Sequence, residues 1–394
     1  MMKKAYLTLF LLLFVFSAMQ AQLTITNGNH TMEISGSAST YYNQRMLKDD
    51  EYDHSKDRFK LRDAQINVEG RIKNLWEYKL QVDLADMSAN SANGGVIDPE
   101  NPGLMDASVT YKGLGFFDVK MGYSKVPYSR GSLVPFTFSP YWQRAELTRG
   151  SIFSRRDVGV TLSKTMWKQR INIFAGAYSG LGEMALAGDN DASGNPEFIG
   201  RAEFSYPARM RYRDIDDRYS PVPLFSLGLN ARYMNKTLPD GEVFPTGVTS
   251  EYNLKVIDGK KYVYGLDAVF MYMGFSAEFE IHQVKAEPHK SSDALYQGLT
   301  PQQTNGYFLA GGYVAQLNYF IKDIKTIVSA RYEELDLNDL AAGNSKRFSP
   351  AIAYQISGFD AMIKFQYFNI LKEEKIDPLK WNEQYRLGMQ FNFN

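Results

Sequence analysis

The sequence predicts an all-β protein, a transmembrane antiparallel β-barrel of 16 strands with long external loops, and three observations carry that reading. Segments of alternating apolar and polar residues recur along the chain, as strands with one lipid-facing and one wet face require. The connections between them are short and long in turn, matching the two ends of an outer-membrane barrel. The composition joins 26 Tyr and 25 Phe to a mean hydropathy of −0.35. Alternation lets a membrane barrel stay that hydrophilic, and the aromatic residues suit its two interfacial girdles.

The first residues read as a leader. Lys3 and Lys4 precede an apolar run over residues 5–16, and Ala21 stands before Gln22. This is the pattern of a secretory signal peptide over residues 1–21, which leaves 22–394 as one outer-membrane barrel domain. The apolar run is too short to cross a bilayer as a helix. The chain has no cysteine, so it has neither a lipid-anchored amino terminus nor a disulfide framework. Lys and Arg number 44, as do Asp and Glu. Two of those cations leave with the leader, and the near-neutral remainder argues against a nucleic-acid partner.

The strands follow in order. Met32, Ile34, Gly36 and Ala38 open the first, and Ala64, Ile66 and Val68 mark the second. Tyr78, Leu80, Val82 and Leu84 form the third. Ala107, Val109 and Tyr111 form the fourth, Phe117, Val119, Met121 and Tyr123 the fifth, and Val158, Val160 and Leu162 the sixth. The seventh carries Ile171 to Ala177 on one parity, the eighth Gly200 to Tyr206, the ninth Phe225 to Tyr233, the tenth Tyr262 to Tyr272 and the eleventh Phe275 to Ile281. Tyr307 to Tyr319, Thr326 to Tyr332, Ile352 to Ile356, Phe359 to Tyr367 and Tyr385 to Phe393 complete the set. Pro350 is expected to trim the fourteenth strand, since a closed barrel has few places for a strand proline.

Short connections are read at Lys73 and Asn74, Gly113 to Gly115, Trp167 to Gln169, Met273 and Gly274, Lys322 and Asp323, and Gly358. Long ones lie at 87–103, 179–196, 235–260 and 286–305. Residues 207–223 depart from the scheme, falling on the short-turn side while being long. A soluble β-sandwich would have shorter strands and no such asymmetry between its ends.

One interruption stands apart. Between the fifth and sixth strands, residues 125–156 carry Lys125, Arg130, Arg144, Arg149, Arg155 and Arg156 against Glu146 alone. The same stretch holds Tyr128, Phe136, Phe138, Tyr141, Trp142 and Phe153, enough apolar surface to pack on a barrel wall. Long loops without secondary structure are usually functional, and arginine suits fork-like recognition of phosphate or carboxylate. The six basic residues are therefore candidates for an anion-binding constriction. The competing reading is an external loop whose arginines meet lipopolysaccharide or wall carboxylates.

Other charges read as ordinary surface. Inward positions carry mixed signs, from Glu77, Lys79, Asp83 and Asp106 through Lys120, Arg201, Asp267 and Glu280 to Lys364 and Arg386, as expected of a solvated lumen. Arg209, Arg211 and Arg213 recur at a spacing of two, but Asp214, Asp216 and Asp217 follow, which points to a self-neutralised turn. Residues 189–197, DNDASGNPE, begin as a calcium loop would. Pro196 and the Gly200 in place of its final glutamate favour a solvated loop without metal. No hydrolase motif or paired-histidine metal spacing accompanies His282, the one inward-facing histidine, so no enzyme and no cofactor are expected. A plugged, energy-coupled transporter would need a larger barrel.

The stretches LRDAQINVEGRIKNLWEYKLQVDLAD (61–86), MDASVTYKGLGFFDVKMGYSKVPYS (105–129) and ELTRGSIFSRRDVGVTL (146–162) resemble the phosphate-selective porin O and P family. The resemblance implies a trimeric, 16-stranded diffusion porin of the Gram-negative outer membrane, with its third external loop folded into the lumen. Its implied partners are small anions such as phosphate or small carboxylates, with outer-membrane lipid and lipopolysaccharide around it. The arginine ladder and lysine cluster of that family are not traced here. The inward parity is not uniformly basic, and the chain ends in Asn394 with its aromatic residue one place earlier. A non-transporting barrel, serving adhesion or a secretion assembly, is the alternative from another class.

Overall fold

A computed structural model describes residues 23–47, 57–85, 103–150, 152–182, 194–237, 257–289, 306–336, 339, 344–372 and 381–393. The leader, the potential calcium ligands Asp189, Asp191 and Ser193, and most of the other long external connections lie outside the described residues. Seventeen strands are present among those described: β1 (Leu23–Asn27), β2 (His30–Leu47), β3 (Arg58–Ile72), β4 (Trp76–Asp83), β5 (Leu104–Tyr111), β6 (Asp118–Lys125), β7 (Arg156–Met166), β8 (Ile171–Tyr178) and β9 (Glu197–Tyr206). Then come β10 (Leu224–Lys236), β11 (Gly259–Tyr272), β12 (Phe275–Pro288), β13 (Phe308–Ile321), β14 (Thr326–Asp336), β15 (Ser345–Ser357), β16 (Ala361–Lys372) and β17 (Trp381–Phe393).

Each strand from β2 to β17 pairs antiparallel with the next, and β17 returns to β2 from Trp381 opposite Leu47 to Phe393 opposite Gly36. The sheet is thus closed at 16 strands. Closure satisfies every strand edge internally, which a hydrocarbon environment demands. The extra strand β1 pairs with β2 from Leu23 opposite Ile34 to Asn27 opposite His30. It takes up the edge of β2 where β17 stops, completing the barrel rim.

Alternation places the faces as expected. In β10 the side chains of Phe225, Leu227, Leu229 and Tyr233 are exposed on the outer wall while Ser226, Asn230, Arg232 and Met234 are buried inside. The tight turns use left-handed backbone: Met273 and Gly274 have φ of 45° and 84°, the primed-turn geometry that matches strand twist.

Three features depart from the sequence reading. Pro350 does not trim its strand, since β15 runs through it to Ser357. Pro350 pairs with Ala330 of β14, while the ladder to β16 skips from Phe348 to Ala351, so the missing N–H falls in that gap. The lumen is also not simply solvated: Arg201, Asp267, Glu280, Arg331 and Lys364 are almost fully buried. Finally, residues 207–223 are not a surface turn. Ile215 is buried in an apolar cluster with Phe320, Ile327, Ala353, Phe359 and Met362, inside the barrel.

Candidate functional site

The segment joining β6 to β7 crosses the lumen. It carries two single-turn helices, α1 (Arg130–Leu133) and α2 (Glu146–Arg149), with a 3-10 turn at Phe136–Phe138 between them. Ser129, at φ 63°, caps α1 by accepting from the Ser132 N–H at 3.2 Å. Tyr128, Trp142, Leu147, Ile152 and Phe153 are each no more than 1% exposed. They pack with inward-facing Met234, Val263, Val284, Phe308 and Leu335 in one apolar cluster, Trp142 excepted. Burying this much aromatic surface draws the loop inside, each such side chain contributing roughly 1.5–3 kcal/mol.

Hydrogen bonds fix its course. Ser129 donates twice to the wall: its N–H to Asn230 at 3.1 Å and its hydroxyl to Glu280 at 2.7 Å. Glu280 also accepts from the Gly131 N–H and lies 2.9 Å from His282 Nε2, while His282 Nδ1 meets Tyr128 Oη at 3.1 Å. His282 is therefore part of a loop anchor. Farther on, Gln390 of β17 donates to the Thr137 carbonyl at 3.0 Å. The Trp142 N–H donates to Gln366 at 2.7 Å and its indole N–H to the Lys364 carbonyl at 3.2 Å. Arg331 donates to the Gln143 carbonyl, and Arg232 to that of Ser154. The loop is bound to β10, β12, β14, β16 and β17 in turn.

What stays open is an eccentric passage of about 750 Å³ between the loop and the wall of β2 to β6. Its lining includes ten basic residues, Lys60, Arg62, Arg71, Lys79, Lys120, Lys125, Arg144, Arg149, Arg155 and Arg156. Five acids, Glu33, Glu69, Glu77, Asp83 and Asp106, face them. Several cations are compensated: Lys79 lies 2.7 Å from Glu69, Arg71 3.3 Å from Glu77, Arg156 3.3 Å from Asp106, and Arg62 3.0 Å from Asp63. Glu146, the loop's acid, sits between Arg149 at 3.4 Å and Arg347 at 3.3 Å.

Lys120, Lys125 and Arg144 differ. They donate to the carbonyls of Lys125, Leu133 and Val134, at 3.4, 2.9 and 2.7 Å, and none of the three forms an ion pair among the described residues. Burial, reinforced by the positive neighbours Arg155, Arg156 and Arg62, pushes the Arg144 pKa well below its ordinary value. A guanidinium is in effect always protonated in proteins, so Arg144 remains a cation at neutral pH. The same crowding means an anion arriving there relieves repulsion. Two like charges 4 Å apart repel by about 4 kcal/mol at an effective dielectric of 20.

Of the six loop cations singled out by sequence, Lys125, Arg144, Arg149, Arg155 and Arg156 line this passage together. Arg130 does not. Its guanidinium is buried and donates to the carbonyls of Arg211 and Arg213 at 3.0 and 3.1 Å. Arg62 was not singled out, yet it reaches the loop directly, donating to the Trp142 carbonyl at 2.7 Å and lying 3.9 Å from the Phe136 ring centre. A bulge explains it. Ser39 pairs with Asp63 and Thr40 with Leu61, so Arg62 is an extra residue turned into the lumen beside Asp63.

The family described as phosphate-selective porin O and P matches residues 37–347. No curated protein matches the chain in sequence. Among solved structures, the chain is similar to outer-membrane-expressed OmpT of Vibrio cholerae, with a TM-score of 0.59 and 10% identity over 94% of this chain and 100% of that one. The anion-selective porin from Comamonas acidovorans gives 0.57 and 9%, covering 92% and 100%. The outer membrane channel DcaP of Acinetobacter baumannii gives 0.56 and 12%, covering 93% and 99%. At these identities the likeness is one of fold.

Proposed function

The chain belongs to the phosphate-selective porin O and P family, and from that premise we propose that this outer-membrane diffusion porin favours small anions, with phosphate and small carboxylates the best candidates. One observation carries the reading: cations on the open passage outnumber acids by ten to five. Three of them, Lys120, Lys125 and Arg144, donate to backbone carbonyls and form no ion pair among the described residues, so a carboxylate reaches them only at longer range. In a narrow, poorly hydrated section each fixed charge acts more strongly on a passing ion than it would in wide water. The basic lining residues extend along β3 from Lys60 to Arg71 and are interspersed with acids, so the preference is moderate and general. In keeping with the family, the assembly is a homotrimer.

Reconstitution in planar bilayers tests this. A KCl gradient should give a reversal potential of the sign set by chloride flux. A cation-selective wild type would overturn the anion reading, and a barrel that conducts nothing would favour a scaffold role in adhesion or secretion.

A further inference from the structure

We propose that residues 207–223, the connection between β9 and β10, are an internal strut that sets the size limit of the passage by holding the lumenal loop from behind. The segment enters the barrel from the short-turn end and reaches across it. Its Ile215 packs with Phe320, Ile327, Ala353 and Met362 of β13 to β16, and Phe138 of the loop packs against the same cluster. Asn318 donates to the Asp214 carbonyl at 2.8 Å, and the Asp216 N–H donates to Ser276 at 2.9 Å, tying the strut to the wall.

The strut and the loop are also joined directly. Arg130 of the loop donates to the Arg211 and Arg213 carbonyls at 3.0 and 3.1 Å. The Arg213 guanidinium lies 4.6 Å from the Phe138 ring centre and is held by Asp217 at 2.9 Å. None of residues 207–223 lines the open passage. Their effect on a solute therefore runs through the loop, and Arg130 is a positioning residue. Without the strut, the short-turn half of the lumen beneath the loop would fill with water. Phe138 would keep Phe359 but lose the strut side of its packing. The arm from Phe136 to Arg144, still tied to the wall through Thr137, Trp142 and Gln143, would be able to sag into the vacated space.

The experiment replaces residues 208–222 with Asn-Gly in the otherwise full chain. Folding is judged by heat-modifiable migration, and function by single-channel conductance and by liposome swelling with neutral sugars of increasing size. Neutral sugars are blind to pore charge, so this test stands whether or not the anion preference does. The strut predicts conductance raised on the order of twofold and admission of larger sugars, because the cross-section widens. A folded variant with unchanged conductance and sugar limit would overturn it. If the shortened chain does not fold, Arg130→Ala carries the test. It should move both readouts the same way, and Arg130→Lys should restore them, since an ammonium can still donate to those carbonyls. Wild-type behaviour of Arg130→Ala would equally overturn the proposal.

Discussion

Arg156 Nε lies 3.3 Å from Asp106 Oδ1, and both side chains are almost closed off from solvent. Lys79 approaches the same carboxylate from the other side at 3.7 Å. Asp106 is thus the acid that holds down the charge of the passage where the loop rejoins the wall. Its replacement by Asn keeps an acceptor for Arg156 and removes one negative charge. Asp106→Asn should therefore shift the reversal potential further toward anions. Stability should fall, by up to about 3–5 kcal/mol if the freed cations stay buried. Thermal unfolding of the purified barrel and the reversal potential check the two effects separately, and an unchanged potential would remove Asp106 from the selectivity argument.

Arg144 and Arg149 both line the passage, Arg144 from the arm that ends at it and Arg149 from α2. Changing both to Glu converts two positive charges of its lining into two negative ones. The surplus of basic over acidic lining residues then nearly vanishes, and the loop itself falls from six basic residues against one acid to four against three. The double variant should abolish or reverse the anion preference, read as the reversal potential across a KCl gradient. An unaltered potential would mean that this loop does not set selectivity.

Screening supplies an independent check. Fixed charges act over about 10 Å in 0.1 M salt and about 3 Å in 1 M salt. The cations of the passage are spread over the loop and the facing wall, so raising salt should isolate them from the permeating ion. The anion preference should decline steadily between those two concentrations at a constant gradient ratio. A preference that is flat with salt would instead indicate a tight, desolvated binding site.

Most of the barrel was legible because lipid and water impose a period of two on every strand, as Tyr385, Leu387, Met389 and Phe391 show in β17. The loop cations were legible as a run of basic residues with a single acid. Arg62 was hidden because a one-residue bulge leaves no mark on composition. The strut was hidden because a string of arginines followed by aspartates looks the same in water as in a wet lumen. One signal did point to it. At the short-turn end of β11, Val269, Phe270, Met271 and Tyr272 are apolar on both parities, so the inner face there expects a cover. Val269 and Met271 are indeed buried beneath Met210 of the strut. Val284 and Phe308 gave the matching hint for the lumenal loop.

Trp142 is where the loop is held hardest against the wall it faces. The side chain is fully buried, its ring centre lies 5.3 Å from that of Tyr41, and both of its N–H groups are used by β16. Its carbonyl takes the Arg62 guanidinium, so the same residue links the loop to β3 and to β16. Trp142→Ala leaves the backbone bonds in place but removes the packing and the indole donor, at a cost of about 3–5 kcal/mol. The barrel's own ladders are untouched, so that cost should appear as loosening of the loop and not as loss of the fold. The variant should still migrate as a heat-modifiable barrel, while its open-channel current becomes noisier and its conductance rises. Trp142→Phe, which keeps most of the apolar area and lacks the indole N–H, should fall between the two. If Trp142→Ala conducts as quietly as the wild type, the loop is held by its remaining bonds, and the contact with Tyr41 is dispensable.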